Sequence, residues 1–399
     1  MQIAIVSETW PPEVNGVALT VHSLARGLQA LGHRVQVIRP RPAGSVQADR
    51  TQTDANEQDE NVFGSASADW KPEFDEVLVP GLKLPRYPEL RFGLPAAATL
   101  ERLWRATRPD AIYVATEGPL GRSAVGVAER LGVPACTGFH TRFDDFARHY
   151  GFGFLTPLVF RYLRNFHNRA AATLVPTTEL ADFLRAHGFR GVSVLRRAVD
   201  TQRFNPCHRD EALRREWGLA PDQLAVIYVG RIAAEKKLDL AVRAFRLIEQ
   251  TQHGARFIFV GDGPARAALM AQNPDFIHAG VRRGVDLSRH YASADLFLFP
   301  SLSETFGNVT LEGMASGLPV VAFDYGAAHE HLLDGINGAC VPRDKLDAFI
   351  AGAVDLGNNA EKRERFGAAA RHAVAALNPT SVARSFADVL ASLIVEKAA

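Results

Sequence analysis

Three cysteines among 399 residues are too few for a disulfide scaffold, and Cys136, Cys207 and Cys340 show neither framework nor metal-ligand spacing. Their scarcity suits a reducing cytoplasm. Charge of one sign is missing too: 45 Lys and Arg against 44 Asp and Glu leave a net +1, which gives no basis for binding nucleic acid. No stretch reaches the roughly 20 apolar residues that span a bilayer, so any membrane contact is expected to be peripheral. The opening MQIAIVSETWPP carries no basic segment before its apolar run, and no signal peptide is expected. What remains is an ordinary globular composition, 47% hydrophobic and 22% charged, in a chain long enough for two domains.

Strand-like and helix-like stretches alternate in two halves. Gln2–Ser7, a turn rich in Pro and Gly, a helix from about Ala18 to Leu31 and Arg34–Ile38 form one βαβ unit. Further strands are predicted at 111–114, 133–136 and 172–176, and again at 225–229, 256–260, 276–279, 296–299, 319–323 and 338–341. Both halves therefore read as doubly wound parallel sheets. Residues 44–74 are polar and poor in large apolar side chains, which predicts a long loop inserted in the first half. Strand patterning stops around Arg196–Pro206, where the domain junction is placed. The expected division is 1–197, 198–375 and a helical tail, 376–399, that packs back on the first domain.

The stretch SETFGNVTLEGMASGLPVVAFD places Glu304 and Glu312 eight residues apart across a predicted helix start. In a continuous helix that spacing spans about 12 Å. It exceeds the roughly 5 to 9.5 Å of a glycosidase acid and base pair and matches the reach of a nucleotide sugar. On spacing alone, a surface helix with two unrelated acids fits equally. The motif, closing on Ala-Ser-Gly-Leu-Pro-Val, resembles the signature of retaining glycosyltransferases of the two-domain GT-B class, family 4. That resemblance implies two Rossmann-like domains facing a deep cleft. It implies that Glu304 holds donor-sugar hydroxyls, that Glu312 binds the nucleotide ribose, and that Phe306, Gly307 and Asn308 lie beside the phosphates and sugar.

Other segments carry the resemblance further. Val229-Gly-Arg-Ile-Ala-Ala-Glu-Lys-Lys237 follows a strand and sets Arg231 and Lys236 where a diphosphate would lie; a solvated turn paired with Glu235 is the competing reading. Lys237 stands where the family commonly has Gly, which leaves open which lysine reaches the phosphate. Gly261-Asp-Gly-Pro264 lacks the dinucleotide spacing and reads as structural. Arg282 sits where the family meets the nucleobase through backbone groups. In the first half, Gly16 ends the loop after the first strand, where backbone N–H groups can approach a phosphate at the following helix start; a mere turn is the competing reading. Phe139-His-Thr-Arg-Phe-Asp-Asp145 is similar to the His-Thr segment facing the donor sugar, so His140, otherwise readable as a core or capping histidine, joins the catalytic candidates, with Arg142, Asp144 and Asp145 behind it.

The resemblance implies transfer of a hexose with retained configuration, the leaving diphosphate helping to deprotonate the acceptor. No Asp-x-Asp occurs, so no metal is expected at the diphosphate, its place taken by Arg231 and Lys236; no cofactor beyond the donor is expected. The likeness is nearest to GDP-mannose-dependent α-mannosyltransferases and to diacylglycerol or sulfolipid glycosyltransferases, so the expected reaction runs from GDP-mannose to a membrane lipid or glycolipid. UDP-hexoses (glucose, galactose, glucuronate) with a lipid or polysaccharide acceptor, or a non-catalytic nucleotide-sugar-binding module, are the alternatives. On a helical wheel of residues 152–170, Val159, Leu163, Phe166 and Ala170 share one face, with Arg161, Arg164 and Asn168 opposite. Together with Lys83, Arg86, Tyr87, Arg91, Phe92 and Arg148, that basic face suggests contact with an anionic membrane at the inner face of the cell; a core helix with a solvated face is the plainer reading.

Overall fold

The structure, a computed structural model, describes residues 1–11, 13, 16–41, 73–84, 87–140, 156–304 and 306–398. Residues 42–72, with most of the polar insertion, lie outside it, as do Arg86, Arg142, Asp144, Asp145, Arg148 and Phe152 and the side chains of 83–91. The chain divides into two compact units, Met1–Phe139 with Phe154–Thr173 and Ala387–Ala399, and His140–Gly153 with Leu174–Phe386.

Seven strands form the first sheet: β1 (Gln2–Val6), β2 (Arg34–Pro40), β3 (Asp75–Val79), β6 (Ala111–Val114), β7 (Ala135–Gly138), β8 (Ala172–Val175) and β9 (Val192–Val194). Their order is β3-β2-β1-β6-β7-β8-β9. The central strand β1 pairs in parallel with β2 (Ile3 with Val35) and with β6 (Ile3 with Ala111). It is a continuous apolar run because helices cover both of its faces. The helix Gly16–Ala30 buries Ala18, Val21, Leu24, Ala25 and Leu28, a stripe at helical spacing.

Between β3 and β6, in a segment for which no strand was predicted, the chain forms an antiparallel pair, β4 (Gly81–Leu84) with β5 (Tyr87–Gly93), in which Leu82 faces Phe92. Pro88 inside β5 hid this pair, yet a two-stranded ribbon has an outer edge where proline costs no ladder bond.

The second sheet holds six parallel strands: β10 (Ala225–Val229), β11 (Arg256–Val260), β12 (Ile277–Gly280), β13 (Leu296–Phe299), β14 (Val320–Phe323) and β15 (Gly338–Val341), in the order β12-β11-β10-β13-β14-β15. Strands β10 and β13 are buried at every position. Phe245, Phe257, Phe259 and Phe276 stack along one face of the sheet and carry much of its core.

Among the described residues, no helix is long and apolar enough to cross a membrane. The helix expected over 152–170 is described as Thr156–His167, and it buries Leu163 and Phe166 as the wheel predicted, with Arg161 exposed. His167 is buried with them.

Candidate active site

In an open parallel sheet, ligands bind beyond the carboxyl ends of strands where the winding direction reverses, because there the two flanking loops diverge and leave a crevice. In the six-stranded sheet that reversal lies between β10 and β13. The loop after β10 carries Arg231 and Lys236, and the loop after β13 carries Glu304.

These two loops meet. Lys236 donates from Nζ to Glu304 Oε1 at 2.5 Å and to the Ser303 carbonyl at 3.3 Å, across 68 and 67 residues of chain. Ser301 donates from Oγ to the same Glu304 oxygen at 2.7 Å. Lys236 is 8% exposed, so its charge is held by this carboxylate in a partly dry setting. Lys237 is exposed, and its φ of +52° is the one positive value among described residues other than glycine. That left-handed turn explains why glycine suits the position, and of the two lysines it is Lys236 that meets Glu304. Arg231 is exposed and pairs with Glu235 four residues on, and its carbonyl accepts from the Tyr228 hydroxyl at 2.9 Å. The turn-with-Glu235 reading thus describes Arg231, while Lys236 departs from it.

The helix Asn308–Ala315 starts after Gly307, whose φ of +88° makes the turn. Phe306, 4% exposed, anchors the loop, and its carbonyl accepts from Ala327 N at 2.6 Å. A side chain at Gly326 would put its Cβ 2.5 Å from that carbonyl, so only glycine permits the approach. One turn into the helix, Glu312 Oε2 accepts from the Tyr291 hydroxyl at 3.0 Å. Burial pushes the Glu312 carboxyl up to about 7, against the pull of the Tyr291 hydroxyl and the Arg203 charge. Arg282 is exposed and pairs with Asp286 at 3.1 Å. Ile232 N donates to the Asp262 carbonyl and Ala265 N to the Ile232 carbonyl, which locks the Gly261–Pro264 turn against the Arg231 loop and accords with its structural reading.

In the seven-stranded sheet the winding reverses between β1 and β6. Gly16 begins the helix after β1, with no heavy atom of the described residues within 4 Å of the position of a Cβ. Glu8 follows β1 directly and accepts from Leu120 N at 2.9 Å, at the start of the helix Pro119–Leu131. Burial raises its carboxyl to about 7, the Leu120 and Gly121 N–H groups opposing and the nearby Glu117 charge adding. His140 follows β7, is 8% exposed, and its Nδ1 lies 2.9 Å from Arg197 Nη2, which makes that nitrogen the acceptor.

The structure therefore joins Lys236 with Glu304 and sets Phe306, Gly307, Asn308 and Glu312 on the loop and helix that follow. It turns Arg231 and Arg282 toward acids four residues on, Glu235 and Asp286. Sequence reasoning missed Ser301, Tyr291, Arg197 and Glu8. Ser301, three residues before Glu304, had a legible signal in its spacing; Tyr291 and Arg197 belong to other elements and had none.

Comparison with known proteins agrees in both halves. A family model described as Glycosyltransferase Family 4 matches residues 14–203, and one described as Glycosyl transferases group 1 matches residues 223–359. A GDP-mannose-dependent alpha-mannosyltransferase of Mycobacterium tuberculosis is 33% identical over 377 residues, 94% of this chain and 92% of that protein. An alpha-monoglucosyldiacylglycerol synthase of Acholeplasma laidlawii is 27% identical over 362 residues, 85% of this chain and 84% of the relative. Among solved structures, a sucrose-phosphate synthase from Thermosynechococcus elongatus superposes with a TM-score of 0.72 at 16% identity, covering 99% of this chain and 100% of that one.

Proposed function

This chain belongs to glycosyltransferase family 4, with the GT-B fold and a nucleotide sugar as donor, and on that footing we propose that it transfers mannose from GDP-mannose to a membrane lipid or glycolipid such as diacylglycerol. The anomeric configuration is retained and no metal takes part. The observation that carries this reading is the Lys236–Glu304 contact at the sheet's reversal point. It brings a cation suited to the donor diphosphate beside a carboxylate suited to sugar hydroxyls.

In the proposed reaction the bond between the sugar's anomeric carbon and the phosphate oxygen breaks, its electron pair leaving with the diphosphate. The acceptor hydroxyl attacks from the same face and gives its proton to the departing phosphate. Lys236 and Arg231 stabilise the charge that builds on that group, an electrostatic effect worth several kcal/mol when preorganised. Glu304 orients the donor sugar, His140 supports it from the acceptor side, and Glu312 takes the ribose. Arg231 must leave Glu235 to reach a phosphate, which an exposed arginine does at little cost.

The mannosyl donor follows the M. tuberculosis relative. The A. laidlawii relative, whose name places a glucosyl group on diacylglycerol, supports a second reading, a glucose donor with a lipid acceptor. Peripheral contact with anionic lipid is supported by the helix Thr156–His167, which exposes Leu158 (63%) and Tyr162 (38%) beside Arg161. A thermal-shift comparison of GDP with UDP, then of the sugar conjugates of the stronger, tests the donor. Stabilisation by UDP alone overturns GDP-mannose in favour of the second reading. Incubation with the donor that releases no nucleoside diphosphate with any acceptor leaves a binding module. Flotation with anionic and neutral liposomes tests the acceptor side: salt-sensitive binding to anionic vesicles is expected, and equal partitioning overturns it.

A further inference from the structure

Tyr291 sits on the helix Gly284–Ser293, in an element that contributes no other group to the proposed donor site. Its ring is wholly buried and stands edge-on to Phe204 and Phe297, each about 5.7 Å away and near perpendicular. Such packing leaves the ring no second rotamer. The hydroxyl therefore occupies one place, 3.0 Å from Glu312 Oε2 and 3.4 Å from the Val309 carbonyl. A phenol has one proton, and the nearer acceptor, the Glu312 carboxyl, takes it. Burial and the Glu312 charge hold the phenol well above its ordinary range, so it stays a donor at every working pH.

We propose that Tyr291 is the positioning residue that fixes the Glu312 carboxylate for the 2′ and 3′ hydroxyls of the donor ribose, and so sets preference for ribonucleotides. The proposal rests on Glu312 as the ribose carboxylate. By engaging Oε2 from the protein side, the hydroxyl sets the carboxylate plane before ligand arrives, and a ribose diol finds an acceptor already in place. Without the phenol the carboxylate loses that fixed partner, and the diol must order it on binding.

The test is calorimetric titration of GDP, UDP and their 2′,3′-dideoxy analogues into the wild-type chain, Tyr291→Phe, Glu312→Ala and the double variant. Phe fills the same apolar slot, and a melting curve on each variant checks the fold. The wild type is expected to bind the better ribonucleotide roughly tenfold or more above its dideoxy analogue. Tyr291→Phe should lose affinity for the ribonucleotide several-fold and hold its affinity for the analogue, so the ratio shrinks. In the Glu312→Ala background the tyrosine change should have no further effect on that ratio. A wild-type ratio near one overturns the ribose role of Glu312, and this inference with it. A large wild-type ratio left intact by Tyr291→Phe, or a loss equal on both ligands, overturns the positioning role alone.

Discussion

Glu304 and Glu312 are both carboxylates of one loop-and-helix segment, yet their surroundings assign them different work. Glu304 receives a buried ammonium and a serine hydroxyl, both on Oε1, which fix its orientation. Glu312 receives only a neutral phenol and sits where burial favours its proton. Glu312→Ala is therefore expected to weaken nucleoside diphosphate binding, by roughly 10- to 150-fold for one lost charged hydrogen bond. Glu304→Gln keeps the shape and is expected to lower turnover with nucleotide affinity nearly unchanged. Titration of nucleoside diphosphate into both variants, alongside kcat, checks the division; an equal loss of affinity in the two contradicts it.

The loops around β10 and the helix after β13 depend on backbone choices that single substitutions can probe. A Cβ at Gly313 would lie 2.7 Å from Phe297 Cδ1, and Phe297 is fully buried between Tyr291 and Phe299. Alanine gains about 1 kcal/mol of helix propensity there but forces a close-packed ring aside at a cost of about 1 to 3 kcal/mol. Gly313→Ala should lower the denaturation midpoint, and no change would mean that the ring has room to yield. Lys237→Gly acts in the opposite direction. At φ +52° a lysine carries left-handed strain of about 1 to 2 kcal/mol, more than the chain entropy that glycine adds to the unfolded state. The variant should be slightly more stable and keep its donor affinity, since Lys236 and not Lys237 meets Glu304. A loss of donor affinity in Lys237→Gly comparable to that of Lys236→Ala would reverse this assignment.

Two buried carboxyls, Glu8 in one unit and Glu312 in the other, make stability depend on pH in an unusual direction. Both have folded values near 7, above the 4.5 of a free glutamate. A carboxyl raised on folding stabilises below its unfolded value and loses that contribution as pH climbs through the folded one. His331 opposes them lower down, burial depressing it to about 4, and burial also lowers His33, His278 and His290, so stability rises with pH up to about 6.5 on their account. Above pH 6.5 these imidazoles lose their proton in the unfolded state too, and their opposition fades. Stability should fall from pH 6.5 to 8, by roughly 1 kcal/mol per carboxyl, and Glu312→Gln should remove about half of the fall. Chemical denaturation across that range measures it; a flat or rising profile in the wild type contradicts the assignment. Turnover, for its part, is expected to survive EDTA, because in the proposed reaction Lys236 and Arg231 supply the positive charge at the diphosphate. Activity lost in chelator and restored by magnesium or manganese would show that those cations do not suffice.

The order of strands and helices, the Pro and Gly turns between them, and the placing of charged motifs just after strands are local properties, and composition, periodicity and spacing carry them along the chain. So the strands β1, β6, β10, β11, β13 and β15 lie where their apolar runs predict. The short edge strands β3 and β9 and the β4–β5 pair were illegible because an edge needs only half the apolar content of a central strand. The glutamate motif and its cations were legible as groups at strand ends, but their partners were not. That Lys236 meets Glu304, that Lys237 turns left-handed, and that Tyr291 reaches Glu312 from another helix are matters of tertiary structure. The sheet order seats β10 against β13 although 66 residues of chain intervene between Val229 and Leu296. Spacing along a chain carries no record of such a neighbour; the pairing of strands creates it.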